Sequence, residues 1–267
     1  MTDARERVLA GLRGSPKYRD IAPAALKRTA TWAVERHSKP NDALKAAKRK
    51  LHQVFGAYLD PKSLKTLDRH MDNLDAGADL DETCRTILRL HRSSEERLDV
   101  LEAFYQAIWD EVGEPSAVMD VAAGFNAFAL PFAGLPTDTR YTALEIDRRL
   151  ANTTSRFLAI IGRSGTSLWC DVLSDFETDT ADVAFVLKTL PCLEQQEDGA
   201  AKALLERLTA VHTLVVTYPV RSLGGREKGM REKYLADVER LARDSCRTLT
   251  IIPFDDELIA ILKYAET

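Results

Sequence analysis

The chain has 267 residues, of which 45% are hydrophobic and 29% are charged, so it is long enough to bury a sizeable core and is not intrinsically disordered. No apolar run approaches the roughly 20 residues of a membrane-spanning helix, and the amino terminus has no apolar segment followed by a secretory cleavage site. The four cysteines form no CxxC pair, which argues against a zinc cluster and favours reduced thiols. We therefore expect a cytoplasmic protein that has no metal site and does not meet a membrane.

Charge is unevenly distributed along the chain. Residues 1–70 hold 16 Lys and Arg against 7 Asp and Glu, whereas residues 71–267 hold 21 against 34. A basic amino-terminal segment on an otherwise acidic protein favours a polyanionic partner that meets only this end. The alternative is a solvated helical face without a partner.

The basic side chains of this segment fall on predicted helices. Residues 2–67 have helical periodicity, with breaks at prolines near positions 16, 23, 40 and 61. In the helix that follows Pro40, the apolar residues share one face and the basic residues lie largely off it. A face of this kind binds phosphates without reading the base sequence. The predicted RNA-binding residues are Lys27, Arg28, Arg36, Lys45, Lys48, Arg49 and His52.

The segment HRSSEERL at 91–98 marks a predicted boundary. Ser93 with Glu96 three residues later reads as a capping box, and Leu98, Leu101 and Ile108 supply the apolar stripe of the helix that follows. We therefore divide the chain into an amino-terminal helical domain, residues 1–92, and an α/β domain, residues 93–267.

Strand-like and helical segments alternate from Ala117 onward, which predicts βαβ units and a parallel sheet. The last two strand-like segments, residues 248–253 and 258–264, are separated by only four residues and fit an antiparallel hairpin. The predicted fold is α/β, with a mostly parallel sheet and a carboxyl-terminal antiparallel hairpin. This is the arrangement of class I (Rossmann-like) S-adenosylmethionine-dependent methyltransferases.

The segment SAVMDVAAGFNAFAL at 116–130 predicts the nucleotide-binding turn. A short buried strand leads to Gly124, after which the chain turns towards a helix, so that backbone N–H groups face the carboxyl edge of the sheet. Of a GxGxxG fingerprint only Gly124 is present, and no P-loop occurs, which disfavours NAD. A ligand without a pyrophosphate needs fewer glycines, so S-adenosyl-L-methionine is the candidate cofactor.

Three acidic residues follow predicted strands. Glu145 lies at the end of the second strand, about 20 positions after the turn, and is the candidate acceptor for the two ribose hydroxyls. Asp147 is the second candidate for that role, or else the cap of the next helix. Asp171, directly after the third strand, is the candidate acceptor for the adenine amino group, with a helix cap again as the alternative.

The fourth strand leads into LKTLPCLEQQ at 187–196, where class I methyltransferases keep the residues between cofactor and substrate. The segment contains no NPPY or DPPY, so methylation of an adenine or cytosine amino group is not indicated. Cys192 is either a nucleophile or a small buried side chain, and the lack of a second, paired cysteine favours the latter.

Together with HRSSEERL, VMDVAAGFNAFALP at 118–131, ALEID at 143–147 and CDVL at 170–173, this segment resembles the aminoglycoside-resistance 16S rRNA (guanine-N7) methyltransferases. LHQVFGAYL at 51–59 and SLGGREKGM at 222–230 are similar to further segments of that family. The resemblance implies methylation of N7 of a decoding-site guanine within the 30S subunit, with S-adenosylhomocysteine as product. It also implies a monomer whose amino-terminal helices dock on the rRNA.

The resemblance also implies which residues hold the cofactor. Arg97 would pair with the methionine carboxylate, a role suited to a guanidinium group. The residues that match the family's cofactor-binding positions are Phe55, His91, Arg92, Ser93, Arg97, Ala122, Gly124, Glu145, Asp171, Val172, Leu187 and Gln196.

This chain departs from the family pattern at several of these motifs. The family shows HxSTRERL where this chain has Ser94 and Glu95, DVACGLNP where it has Ala123, Phe125 and Ala127, and DID where it has EID. We interpret it as a divergent member. Guanine N7 carries a lone pair and no proton, so we expect no general base and assign no catalytic residue. The alternatives are a methyltransferase for another RNA site or a small molecule, and a non-catalytic rRNA-binding or assembly factor.

Overall fold

The computed structural model describes residues 2–53, 61–174, 176, 180–220, 229–254 and 257–265. The helices of the amino-terminal part are α1 Thr2–Arg13, α2 Pro23–Arg36, α3 Pro40–Leu51, α4 Pro61–Asp75, α5 Leu80–Leu88, α6 Arg92–Glu95 and α7 Leu101–Val112. The elements that follow are β1 Ala117–Val121, β2 Arg140–Glu145, α8 Arg148–Ile160, β3 Gly165–Trp169, β4 Val183–Leu187, α9 Leu190–Glu194, α10 Ala200–Arg207, β5 Thr213–Pro219, α11 Met230–Asp244, β6 Thr248–Ile252 and β7 Glu257–Lys263.

The strands of the described residues form one sheet in the order β3-β2-β1-β4-β5-β7-β6. Strands β1 to β5 run parallel, and β7 lies antiparallel to both β5 and β6. The predicted parallel sheet and its antiparallel hairpin are therefore confirmed. The chain adds β2 and β3 on one side of β1 and then β4 and β5 on the other, so the strand order reverses at β1. The carboxyl ends of β2, β1 and β4 therefore form the crevice in which open α/β sheets bind ligands.

Helices α4 and α5 belong to the core of the sheet. Leu67, Met71 and Ile87 are fully buried in the same apolar cluster as Val118 and Phe185 of the central strands. By contrast, α1 to α3 bury a separate apolar cluster among themselves. The division at residue 92 stays a prediction, while the apolar clusters group α4 and α5 with the sheet.

A short backbone bridge docks α1 to α3 on the α/β part. It joins the segment before α2 to the turn after β2. The Ala22 N–H donates to the Ile146 carbonyl at 2.9 Å, and the Arg148 side chain donates to the Asp20 carboxylate, with Nε 3.1 Å from Oδ1. This bridge holds the first turn of α2 against the carboxyl edge of the sheet.

The capping box predicted at Ser93 was wrong. His91 occupies the N-cap position of the short helix α6, and Ser93 lies inside it. The Ser94 hydroxyl donates to the Leu88 carbonyl at 2.9 Å, which ties this helix to the end of α5. Residues Leu98–Val100 then form a 3-10 turn, so Leu98 lies outside the next helix, and the rest of the predicted apolar stripe belongs to α7, which starts at Leu101.

No helix in the described part of the chain combines the length and the hydropathy that a membrane span requires.

Candidate cofactor-binding site

Backbone strain marks the carboxyl ends of the central strands. Among described residues other than glycine, positive φ occurs at Ala122 (55°), Lys188 (54°) and Cys246 (54°). Ala122 directly follows β1, and Lys188 directly follows the neighbouring strand β4. Such conformations persist where the surrounding structure imposes them, and they cluster at functional sites. Gly124 completes the turn after β1 with φ of 54°, a conformation that glycine adopts without cost.

Glu145 fastens this turn to the end of β2. Its carboxylate is 5% exposed and accepts three backbone N–H groups: Gly124 at 3.0 Å on Oε2, and Ile146 and Asp147 at 2.8 and 2.9 Å on Oε1. Burial raises the pKa of Glu145 to about 7 despite these bonds. A carboxylate accepts about four hydrogen bonds, so one position remains, on Oε2. The carboxylate can therefore accept a ribose hydroxyl there, and its role towards both hydroxyls stays a prediction.

Asp147 caps α8. Its Oδ1 accepts the N–H groups of Arg149 and Leu150 at 2.9 and 3.1 Å. The helix cap, which was the alternative role for Asp147, is therefore the contact present in the structure. Neither of these two hydrogen bonds reaches the turn after β1.

Asp171 is held by an arginine from the amino-terminal helices. Its carboxylate is 2% exposed. Arg28 of α2 donates from Nε to Oδ2 at 3.3 Å, and from Nη2 to Oδ2 at 2.9 Å and to Oδ1 at 3.1 Å. The Leu173 N–H donates to Oδ1 at 3.1 Å. The predicted adenine acceptor and one predicted RNA-binding residue thus form an ion pair.

Gln196 joins the same group of side chains. Its Oε1 lies 3.4 Å from Arg28 Nη2, and its carbonyl accepts the Lys50 ammonium of α3 at 2.7 Å. Val172 is buried beside Asp171, and Leu187 is half-buried at the end of β4. The structure therefore brings Asp171, Val172 and Gln196 together with helices α2 and α3.

Arg97 forms a buried ion pair with Glu257. Its side chain is 6% exposed and that of Glu257, the first residue of β7, is 3% exposed. Arg97 Nε donates to Glu257 Oε2 at 2.8 Å, and its Nη2 donates to Glu257 Oε1 and to the Thr217 hydroxyl. Burial alone would raise the pKa of Glu257, but the Arg97 charge and hydrogen bonds outweigh it and lower the pKa.

Lys188 extends this ion pair towards the surface. Its ammonium lies 2.8 Å from Glu96 and 3.5 Å from Glu257, and Glu96 also pairs with Arg92. Cations and carboxylates therefore alternate along the end of β4. His91 lies beside them and stacks on Phe125 with 5.1 Å between ring centroids. Burial, with the charges of Lys188 and Arg97, lowers the pKa of His91 to about 4.

Sequence reasoning missed a polar network beneath the turn. Asp120, 1% exposed within β1, accepts the Tyr141 hydroxyl and the Asn126 amide, the latter at 2.8 Å. The Asn126 side-chain oxygen accepts the Tyr105 hydroxyl at 2.8 Å. Burial raises the pKa of Asp120 to about 6. The available signal was a single acidic residue inside an otherwise apolar predicted strand.

The predicted RNA-binding residues separate into two groups. Lys45 and Arg49 are exposed on α3, Lys48 between them is half-exposed, and His52 is exposed at the C-cap of the helix. Lys27 and Arg36 instead border a groove of about 480 Å³, which Trp32, Lys50 and Gln196 also line. Phe55 and most of the segment at 222–230 lie outside the described residues.

The three residues at which the turn differs from the family pattern pack inside the protein. Ala123, Phe125 and Ala127 are all buried. The Phe125 ring packs between His91 and Phe128, with a centroid distance of 5.7 Å to the latter. Glu95 is exposed at the surface of α6.

The strand order, the strained turn after β1, the acceptor at the end of β2 and the strained residue after β4 define a class I S-adenosylmethionine-dependent methyltransferase. The donor set fits this cofactor, because the turn presents backbone N–H groups and Glu145 keeps one free acceptor position. The model of the family described as "Ribosomal RNA methyltransferase (FmrO)" matches residues 14–261, and the chain belongs to this family.

Named relatives support the assignment over nearly the whole chain. A 16S rRNA (guanine(1405)-N(7))-methyltransferase from Micromonospora echinospora is 36% identical over 270 residues, covering 98% of this chain and 97% of the relative. One of the same name from Micromonospora rosea is 35% identical, covering 93% and 92%. The crystal structure of the 16S rRNA methyltransferase RmtF in complex with S-adenosyl-L-homocysteine superposes with a TM-score of 0.87, at 29% identity over 99% of this chain and 100% of that one.

We predict that Glu257→Ala destabilises the protein, because it leaves the Arg97 charge buried without its main counter-ion. The free energy of unfolding should fall by about 3–5 kcal/mol, measured by urea denaturation at neutral pH. Because the pKa of Glu257 is lowered in the folded state, its contribution is present above the pKa of an unfolded glutamate and is lost as the pH falls through the folded pKa. The difference between wild type and variant should therefore shrink in acid.

The matched control is Glu95→Ala, which removes the same charge from an exposed position. It should change the free energy of unfolding by less than about 0.5 kcal/mol. Equal effects of the two substitutions would show that the buried pair contributes nothing beyond a surface carboxylate.

Proposed function

We propose that this protein methylates N7 of the guanine at position 1405 of 16S rRNA, with S-adenosyl-L-methionine as methyl donor. The observation that carries the proposal is the match in sequence and fold to enzymes named for this reaction over nearly their whole length. A methyl group at this atom would remove an aminoglycoside contact in the decoding site and confer resistance.

The residues of the crevice have separate roles in holding the cofactor. Glu145 accepts one ribose hydroxyl at the free position of Oε2, and the turn at Ala122 and Gly124 lets the backbone approach the ligand. Asp171 accepts from the adenine amino group. Arg97 and Lys188 supply positive charge for the methionine carboxylate.

The protein needs no group that removes a proton. When bound, the cofactor supplies an electrophilic methyl group, and guanine N7 presents a lone pair with no proton on it. The side chains at the carboxyl edge therefore act by orienting the reactants and excluding water. Cys192, half-buried on α9 after Pro191, has no role in this scheme.

The substrate is the rRNA within the assembled 30S subunit, met in the cytoplasm by a monomer. The exposed cations of α3 and the groove cations of α2 would contact its phosphates. Because phosphate contacts position a protein without reading bases, selection of the guanine depends on the crevice at the carboxyl edge of the sheet.

The first prediction of this proposal concerns the product. Incubation of unmodified 30S subunits with the protein and S-adenosylmethionine should place one methyl group on N7 of guanine 1405. Borohydride and aniline cleavage followed by primer extension locates the modified base, and mass mapping counts the methyl groups. Methylation at a different base or atom would contradict the proposed target. Binding of S-adenosylhomocysteine without any methyl transfer would favour a non-catalytic rRNA-binding protein.

The second prediction concerns the basic face. The triple variant Lys45→Glu, Lys48→Glu, Arg49→Glu should lose 30S binding in filter or pelleting assays, because three cations near the phosphates become anions. Its affinity for S-adenosylhomocysteine should stay within about twofold of wild type. The control reverses three exposed cations on α10 and α11, Lys202, Lys233 and Arg243, and should leave 30S binding intact. Retention of 30S binding by the first variant would refute the assignment of this face.

The third prediction concerns pH. Because burial raises the pKa of Glu145 to about 7, its carboxylate is partly protonated below neutrality and then offers fewer acceptor positions. Affinity for S-adenosylhomocysteine should therefore rise between about pH 6 and pH 8, as the group becomes charged. Glu145→Gln should weaken binding and flatten this dependence, measured by calorimetry across that range. A pH dependence that the variant retains would assign the titration to another group.

A further inference from the structure

The ion pair between Arg28 and Asp171 links two regions that the proposed function treats as separate. Arg28 lies on α2, within the basic amino-terminal helices, while Asp171 follows β3 at the carboxyl edge of the sheet. The two residues are 143 positions apart in the chain. Their contact is bidentate, with the shortest bond at 2.9 Å, the geometry in which a guanidinium pairs most strongly with a carboxylate.

The contact engages both oxygens of Asp171. Arg28 donates its Nε–H and one N–H of Nη2, the latter shared between the two oxygens, and Leu173 donates a third N–H. The Asp171 side chain is 2% exposed, so an adenine amino group has to compete with the guanidinium for these oxygens. This differs from Glu145, which is held by backbone N–H groups.

Arg28 also borders a groove that is open to solvent. Its side chain is 24% exposed, whereas that of Asp171 is 2% exposed, so the guanidinium borders solvent on one side. That side is the groove of about 480 Å³ between α2, α3 and Gln196, which Lys27, Arg36 and Lys50 also line. Glu35 and Glu197 line the same groove, and Glu197 lies 3.9 Å from Arg28 Nη1. Cations outnumber carboxylates there, so a phosphate is an anion that a released guanidinium can bind in place of Asp171.

We propose that Arg28 couples cofactor binding to rRNA docking by exchanging Asp171 for an RNA phosphate; the inference rests on the proposed function of this crevice. In the free protein the ion pair opposes both ligands, since one needs Asp171 and the other needs Arg28. Either ligand breaks the pair and thereby strengthens binding of the other. The coupling is reciprocal by thermodynamic linkage. Arg28 is thus a positioning residue that acts through Asp171.

Because α2 is anchored to the sheet, the exchange requires only a rotation of the Arg28 side chain. The bridge between Ala22 and Ile146 fixes the first turn of α2, and Lys50 of α3 holds the Gln196 carbonyl at 2.7 Å. The helix therefore stays in place while the guanidinium rotates between Asp171 and the groove.

The test measures binding of labelled S-adenosylhomocysteine by equilibrium dialysis, with and without saturating unmodified 30S subunits. In wild type the subunits should tighten binding about fivefold or more, the lower end of typical couplings. Arg28→Ala should bind S-adenosylhomocysteine more tightly than wild type without subunits, by a similar factor, and should show less than about a twofold further change when subunits are added. Measured in reverse, the cofactor product should strengthen 30S binding of wild type and not of the variant.

Arg36→Ala is the matched control, because it removes the same group from the same helix without touching Asp171. It should weaken 30S binding but retain the coupling. Arg28→Lys covers the case in which Arg28→Ala does not fold: an ammonium cannot engage both carboxylate oxygens side by side as the guanidinium does, so affinity without subunits should lie between those of wild type and the alanine variant.

Weaker or unchanged binding of S-adenosylhomocysteine by Arg28→Ala and Arg28→Lys, or full coupling in either, would overturn the inference. These outcomes are distinct from failure of the proposed function, in which wild type itself binds no S-adenosylhomocysteine or transfers no methyl group to 30S subunits.

Discussion

A buried carboxylate is stabilised by the N–H groups that point at it, and the candidate site is organised by which groups the protein uses for this. Glu145 accepts three backbone N–H groups and thereby holds the turn after β1 in its strained conformation. Asp171 instead accepts from the Arg28 guanidinium on both oxygens and from the Leu173 N–H. Because both side chains are almost inaccessible to water, leaving either carboxylate without these donors would be costly. The two acceptors therefore differ in what holds them, which is backbone for Glu145 and, for Asp171, a side chain that can leave.

Because Arg28 of α2 pairs with Asp171, the amino-terminal helices contribute to the crevice as well as to the basic surface. Their bridge to the turn after β2 places α2 where Arg28 reaches the end of β3. The basic residues of this part consequently divide by position. Lys45 and Arg49 face solvent, whereas Arg28 faces the crevice, although composition treats all of them as one basic surface. The same docking makes the cofactor crevice depend on a second apolar core.

Local patterns in the sequence were sufficient for the strands, the turn at Gly124 and the position of Glu145, because each depends on residues within one βα unit. They could not show contacts between distant segments. Glu257, which pairs with Arg97, lies 160 positions away, and the ligand role assigned to Arg97 stays a prediction. The capping box at Ser93 satisfied a local rule, but His91 is the N-cap of α6, and the Ser94 hydroxyl donates to the Leu88 carbonyl at the end of α5. Asp120 shows a third limit: its burial inside a strand was visible in the sequence, whereas its partners Tyr141 and Asn126 were not.

An arginine–carboxylate ion pair lies at each end of the crevice, and the two pairs differ in how exposed the arginine is. At the β4 end, Arg97 and Glu257 are 6% and 3% exposed, so separating them would leave a charge in a medium of low dielectric constant, and this pair stays closed. At the β3 end, Arg28 keeps 24% of its side chain exposed and borders a groove in which Lys27, Arg36 and Lys50 outnumber Glu35 and Glu197. Exposure of one partner therefore decides which ion pair can exchange. In the proposed binding mode, a ligand carboxylate at the β4 end would add to a fixed charge network through Lys188, which pairs with the exposed Glu96, whereas an adenine at the β3 end would compete with an existing partner.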